Sequence, residues 1–70
     1  MMIEIKEMNE MLSNAKSFRY DGYLYHVLGI FDDENVAVKY YGKHKQFWHY
    51  EFMDSYFLYL KYRDGLLTIE

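Results

Sequence analysis

The sequence predicts an α+β fold: an N-terminal amphipathic helix, then a small antiparallel sheet of five to six strands, closed as an SH3-like barrel. Three observations predict it. Near the N-terminus apolar residues recur every three or four positions; from Phe18 onward they alternate; and turn signals return about every eight to twelve residues. An open sheet with the helix packed on one face is the alternative architecture.

Each element has a local reason. Ile3 and Ile5 first alternate with Glu4 and Lys6. Ile5, Met8, Met11, Leu12 and Ala15 then form a helical stripe, with Glu7, Asn9, Glu10, Ser13 and Asn14 on the other face. This predicts a helix over residues 5–16, acidic early and basic at Lys16, as the helix dipole favours. Residues 18–70 are read as strands. Asp21-Gly22 between Tyr20 and Tyr23 is a two-residue hairpin signal, because both positions must take positive φ. In the strand from Tyr23 to Phe31, Leu24, His26, Leu28 and Ile30 oppose Tyr23, Tyr25, Val27 and Phe31, and Gly29 marks a bulge or a close backbone approach. Asp32 to Asn35 is a polar turn. Val36, Val38 and Tyr40 share a face opposite Ala37, Lys39 and Tyr41. Gly42 to Lys45 forms the next turn, and Trp48, Tyr50 and Phe52 then alternate with Phe47, His49 and Glu51.

Residues 54–64 fit two patterns. Met53, Tyr56, Phe57 and Leu60 make a helical stripe, with Asp54 or Ser55 as N-cap and Gly65 just past the end. The same segment also alternates, and its density of Tyr and Phe favours the strand. An Asp64-Gly65 turn then leads into Leu66 to Ile69.

Seventy residues make one small domain, 1–70, with no repeat, linker or low-complexity stretch. Chains this short need a staple, and the absence of Cys excludes disulfides and fits a reducing compartment. Dense aromatic packing, a metal or homo-oligomerisation is what remains, and the apolar content and surplus of rings favour the first and the last. The apolar runs are too short to span a membrane, and the charged N-terminus is unlike a signal peptide, so a cytoplasmic location is expected. The Pro-free composition, rich in Tyr, Phe, Lys, Asn, Ile and Asp, resembles the output of an AT-rich genome. Small proteins of bacteriophages and mobile elements share that flavour, and the compartment would then be the host cytoplasm.

Nine Tyr, five Phe and one Trp are more rings than so small a domain can bury. The surplus points to a contact surface, since aromatic residues are enriched at interface hot spots. The better core is the row Leu24, Leu28, Ile30, Val36, Val38, Trp48, Tyr50 and Phe52. The outward, partner-binding set is then Tyr23, Tyr25, Tyr41, Phe47 and Tyr59; the alternative is that the helix covers this face with Met8, Met11 and Leu12, which gives a two-sided core. The expected function is stoichiometric binding of a host protein by an accessory inhibitor, with a defence or nucleic-acid-processing factor as the target.

The segment Lys39 to His49 supplies a second reading. It holds three Lys, two His, four aromatics and no acid, within a chain of net charge -3. Lys39, Lys43, His44 and Lys45 with Tyr41, Phe47 and His49 resemble a platform for single-stranded nucleic acid or a nucleotide. The same lysines also serve simply to protect an edge strand, and the segment lacks Arg, the better phosphate fork. No cofactor and no metal site is expected, because no ligand spacing is present. Ser13, Ser17 and Ser55 lack a neighbouring base, and Asp32, Asp33 and Glu34 read as a turn, so no enzymatic activity is expected.

Overall fold

The computed structural model describes residues 2–44 and 46–70. The order of elements is α1 (Met2–Ala15), β1 (Ser17–Tyr20), β2 (Tyr23–Phe31), β3 (Asn35–Tyr41), β4 (Trp48–Asp54), α2 (Ser55–Arg63) and β5 (Leu67–Ile69). β1 to β4 form an antiparallel meander. α2 then carries the chain back so that β5 pairs with β1, giving the strand order β4-β3-β2-β1-β5. The fold is α+β as expected, but the sheet is open. β4 and β5 are its two edges, and they do not join to close the predicted barrel.

α1 begins earlier than predicted and buries the expected stripe: Met8 and Leu12 are fully buried and Met11 packs beside them. It ends at Lys16, whose φ of 68° is left-handed; the Lys16 N–H donates to the Leu12 carbonyl at 2.9 Å, while its own carbonyl accepts from Val27. That single residue turns the helix directly into β1. At the first hairpin Asp21 and Gly22 both have positive φ (54° and 82°), as a type I′ turn requires, and Tyr20 pairs with Tyr23. Asp32 and Asp33 play the same part between β2 and β3. Asn9 donates from Nδ2 to the Asp33 carbonyl (2.9 Å) and so ties α1 to that turn.

Residues 55–63 are a helix, which corrects the strand preference. The ends decide it. The Asp54 carboxylate accepts from the Phe57 N–H at 3.0 Å, and Lys61 and Arg63 sit in the last turn. Gly65, at φ 77°, closes the C-terminus: its N–H donates to the Tyr62 carbonyl and that of Leu66 to the Lys61 carbonyl, a Schellman arrangement. Two satisfied caps outweigh the modest strand preference of Tyr and Phe.

Both helices lie against the same side of the sheet and against each other. Between them and the strands sit Met8, Leu12, Phe18, Tyr25, Val36, Val38, Leu58 and Leu67. Phe18 and Tyr25 stack at 5.0 Å, nearly parallel, at the centre of this core. No described helix is long and apolar enough to cross a membrane.

Candidate protein-contact surface

Register decides which side chains reach the surface. β2 pairs with β3 through Val27↔Val38 and then Gly29↔Ala37, so one residue of β2 is unmatched and the ladder bulges between Val27 and Gly29. Tyr23, Tyr25 and Val27 face the helices before the bulge, and Ile30 faces them after it. In the next hairpin Val36 lies opposite Met53, Val38 opposite Glu51 and Tyr40 opposite His49. The other row therefore looks away from the helices: Ala37 opposite Phe52, Lys39 opposite Tyr50 and Tyr41 opposite Trp48.

The expected assignment of faces is thus inverted at its key positions. Tyr25 is only 6% exposed, and Tyr23 is half-buried against the core. Trp48, Tyr50 and Phe52, taken as core, are 42%, 67% and 66% exposed. A strand's side chains have a period of two, so a one-residue difference in loop length exchanges its faces. Tyr41 and Phe47 do lie at the surface, about half exposed. Tyr59 lies on α2, half-buried against the core and stacked with Tyr56. The five residues of the predicted contact set are therefore divided between the two sides of the sheet.

The helix-free side carries two groups of rings that touch edge to face: Phe31 with Phe52 (5.7 Å), and Trp48 with Tyr41 (5.6 Å) and His26 (5.8 Å). Trp48, Tyr50 and Phe52 come from a strand that sequence reasoning had turned inward. The signal that finds them is the β3–β4 register, set by the Gly42 N–H donating to the Phe47 carbonyl (3.0 Å) across the loop. The Tyr41 hydroxyl donates to the Gln46 carbonyl at 2.8 Å and braces the same loop. Gly42 is needed there for space, since a Cβ at that position would lie 2.5 Å from His49 Nε2.

The basic–aromatic set is assembled in part. Lys39 lies 4.8 Å over the Trp48 ring, and Lys43 lies 5.0 Å over Tyr23. Tyr41, Lys43 and Trp48, with Tyr23, Leu24 and His26, border an open cleft of about 190 Å³. His44 is exposed. His49 points to the other side, stacked on Tyr40 at 5.1 Å and packed by Phe47 at 4.4 Å. Lys45 lies outside the described residues. On the helix-free side Arg19 is paired with Glu70.

Two tyrosines on the covered side have shifted acidities. Burial, then the neighbouring Tyr40, Glu51, Asp21 and Tyr20, push Tyr25 up to about 12. Tyr40 is also raised, by burial, then Glu51 and Tyr23. Both phenols favour the neutral form, as ring packing demands of them, and neither is poised as an acid or base near neutral pH. Among the described residues no three His, Asp or Glu side chains converge to hold a metal ion. No family model, curated protein or solved structure matches this chain.

Proposed function

We propose that the chain is a small stoichiometric protein-binding module whose contact surface is the helix-free side of its sheet. The observation that carries this is the exposure of Trp48, Tyr50 and Phe52 in one row, extended by Tyr41 and Phe31. Solvated rings of this size contribute little to folding, yet they are the residue types that dominate binding energy at interfaces. Four of its rings are braced edge to face in two pairs, Phe31 with Phe52 and Tyr41 with Trp48, which limits the ordering lost when a partner closes over them. Composition and size favour an accessory inhibitor of phage or mobile-element origin, directed at a host defence or nucleic-acid-processing factor.

Affinity capture from host lysate, with nuclease present, tests this reading. One protein should be retained at near-stoichiometric yield by the native chain and lost with the double substitution Tyr50→Thr, Phe52→Thr. Equal retention by both would place the contact elsewhere.

A second reading rests on Lys39 over Trp48 and Lys43 beside the Tyr41–Trp48 cleft. These groups suit a single-stranded nucleic acid or a nucleotide, with phosphates on the lysines and a base on Trp48 or Tyr41. Such binding must fall steeply with salt. Affinity for an oligonucleotide that is insensitive to salt, or absent at low salt, removes it.

A further inference from the structure

The two edges of the sheet are built differently. β5 is three residues long, the usual way to keep an edge from pairing with another chain. β4 is seven residues long and holds no Lys, Arg or Pro; its only charges are Glu51 and Asp54.

Its backbone phase is defined. The Gly42–Phe47 bond and the bond from the Ser55 N–H to the Glu34 carbonyl (2.7 Å) set which residues of β4 exchange hydrogen bonds with β3. With the pairs Val36↔Met53, Val38↔Glu51 and Tyr40↔His49, these are the odd-numbered ones. The N–H and C=O groups of Trp48, Tyr50 and Phe52 therefore point to the free edge.

We infer that β4 pairs antiparallel with β4 of a second copy, about a two-fold axis at Tyr50, making one continuous ten-stranded sheet. Self-complementarity selects this occupant and this register. Tyr50 lies opposite Tyr50 of the second copy, and Trp48 opposite its Phe52. These three residues point their backbone groups outward, so the new ladder pairs all of them, while Asp54, of the same phase, falls beyond its end. On the opposite side of the sheet, His49 falls opposite Glu51 of the second copy, twice by symmetry, bringing imidazole N–H donors to a carboxylate. Phe47 falls opposite Met53. Among the described residues no cation pairs with Glu51. An axis at Glu51 also satisfies the backbone, but it sets Glu51 against Glu51 and Trp48 against Asp54, and like charges directly opposite are destabilising.

The inference concerns the edge rather than the helix-free face, so it stands apart from the partner-binding reading. Its consequence for that reading is geometric: the rows Trp48, Tyr50 and Phe52 of two copies become one uninterrupted aromatic strip.

The chain has no Cys, so single-cysteine variants report the register cleanly. Paired Tyr50 positions in a hydrogen-bonded pair have Cα atoms about 5.5 Å apart, within reach of a disulfide. The purified protein should sediment at twice its 8.7 kDa mass. Tyr50→Cys should cross-link quantitatively under mild oxidation, and Glu51→Cys several-fold more slowly. Glu51→Lys should weaken association about tenfold, by losing both cross-axis pairs. Tyr50→Pro should give a folded monomer, since the N–H it removes is not bonded within the chain. A native chain that stays monomeric at about 100 μM, far above the affinity of a specific interface, overturns the inference, as does faster cross-linking at Glu51 than at Tyr50. No partner protein enters these measurements, so their failure leaves the capture experiment unaffected.

Discussion

The two sides of this sheet carry similar residues and do different things. On the covered side Phe18 stacks on Tyr25, and Tyr40 packs against Tyr25 at a tilt, within the core that the helices cover. On the open side Trp48, Tyr50 and Phe52 stand in solvent. Composition does not distinguish the two rows: Phe18, Tyr20, Tyr23, Tyr25 and Tyr40 on the covered side match Phe31, Tyr41, Trp48, Tyr50 and Phe52 on the open side. What separates them is the register of two hairpins and the presence of helices on one side. Aromatic residues are therefore not a reliable marker of the core in a domain this small. The same kind of ring is buried on one side and stands in solvent on the other.

The largest expected effect comes from breaking the covered side. Phe18→Ala removes a fully buried ring stacked on Tyr25. It should cost roughly 3–5 kcal/mol, enough to unfold most of a population of so small a domain. Loss of the circular-dichroism signal at room temperature, or a sharply lower urea midpoint, is the expected reading. The matched change on the open side, Phe52→Thr, should cost well under about 1 kcal/mol, because Phe52 is mostly solvated and Thr keeps the strand preference.

Alkaline pH sharpens the contrast without a mutation. Burial pushes the Tyr25 phenol up to about 12, above the ordinary tyrosine value of about 10, so it stays protonated in the folded state. A group whose folded pKa is raised stabilises the fold fully below its unfolded pKa, and that stability is lost as pH rises through the folded one. The fold should therefore lose roughly 2–3 kcal/mol between about pH 10 and 12 from Tyr25 alone. Urea midpoints across that range should fall for the native chain and fall less for Tyr25→Phe.

Two smaller effects concern how the helices are seated over the covered side. Ser55 is fully buried and its hydroxyl has no hydrogen-bond partner. Ser55→Ala should stabilise by up to about 1 kcal/mol, since it removes an unsatisfied polar group. Lys16 adopts the left-handed conformation that joins α1 to β1, at a cost of roughly 1 kcal/mol for a residue with a Cβ. Lys16→Gly should raise the thermal midpoint slightly, its gain partly offset by the greater freedom of Gly in the unfolded chain.

Much of the fold was legible in the residues, and the reasons are local. The stripe Met8, Met11 and Leu12 has helical spacing and is the stripe that packs. Asp21-Gly22 can do little else between two strands but turn. Two features were not legible. For residues 55–63 strand preference and capping disagreed, and the weight belonged with Asp54 and Gly65, which satisfy backbone groups at both ends. The faces failed for a non-local reason. Whether Trp48 or His49 turns inward depends on how many residues the loop after Tyr41 uses, and on where β2 places its bulge. Neither is written in the alternation itself, since both rows contain rings. Of the residues expected to be exposed, Tyr41 lies on the open side and Phe47 beside His49 on the other, whereas Tyr50 and Phe52 were hidden by the inverted face.

The central claim is that the open row is surplus to folding. Urea denaturation of the Tyr50→Thr, Phe52→Thr double variant, at a protein concentration low enough to keep chains apart, tests it most directly. The account predicts a midpoint close to that of the native chain and a total loss below about 1 kcal/mol. A collapse comparable to that of Phe18→Ala would mean that these rings hold the fold together, and the division between the two sides of the sheet would be contradicted.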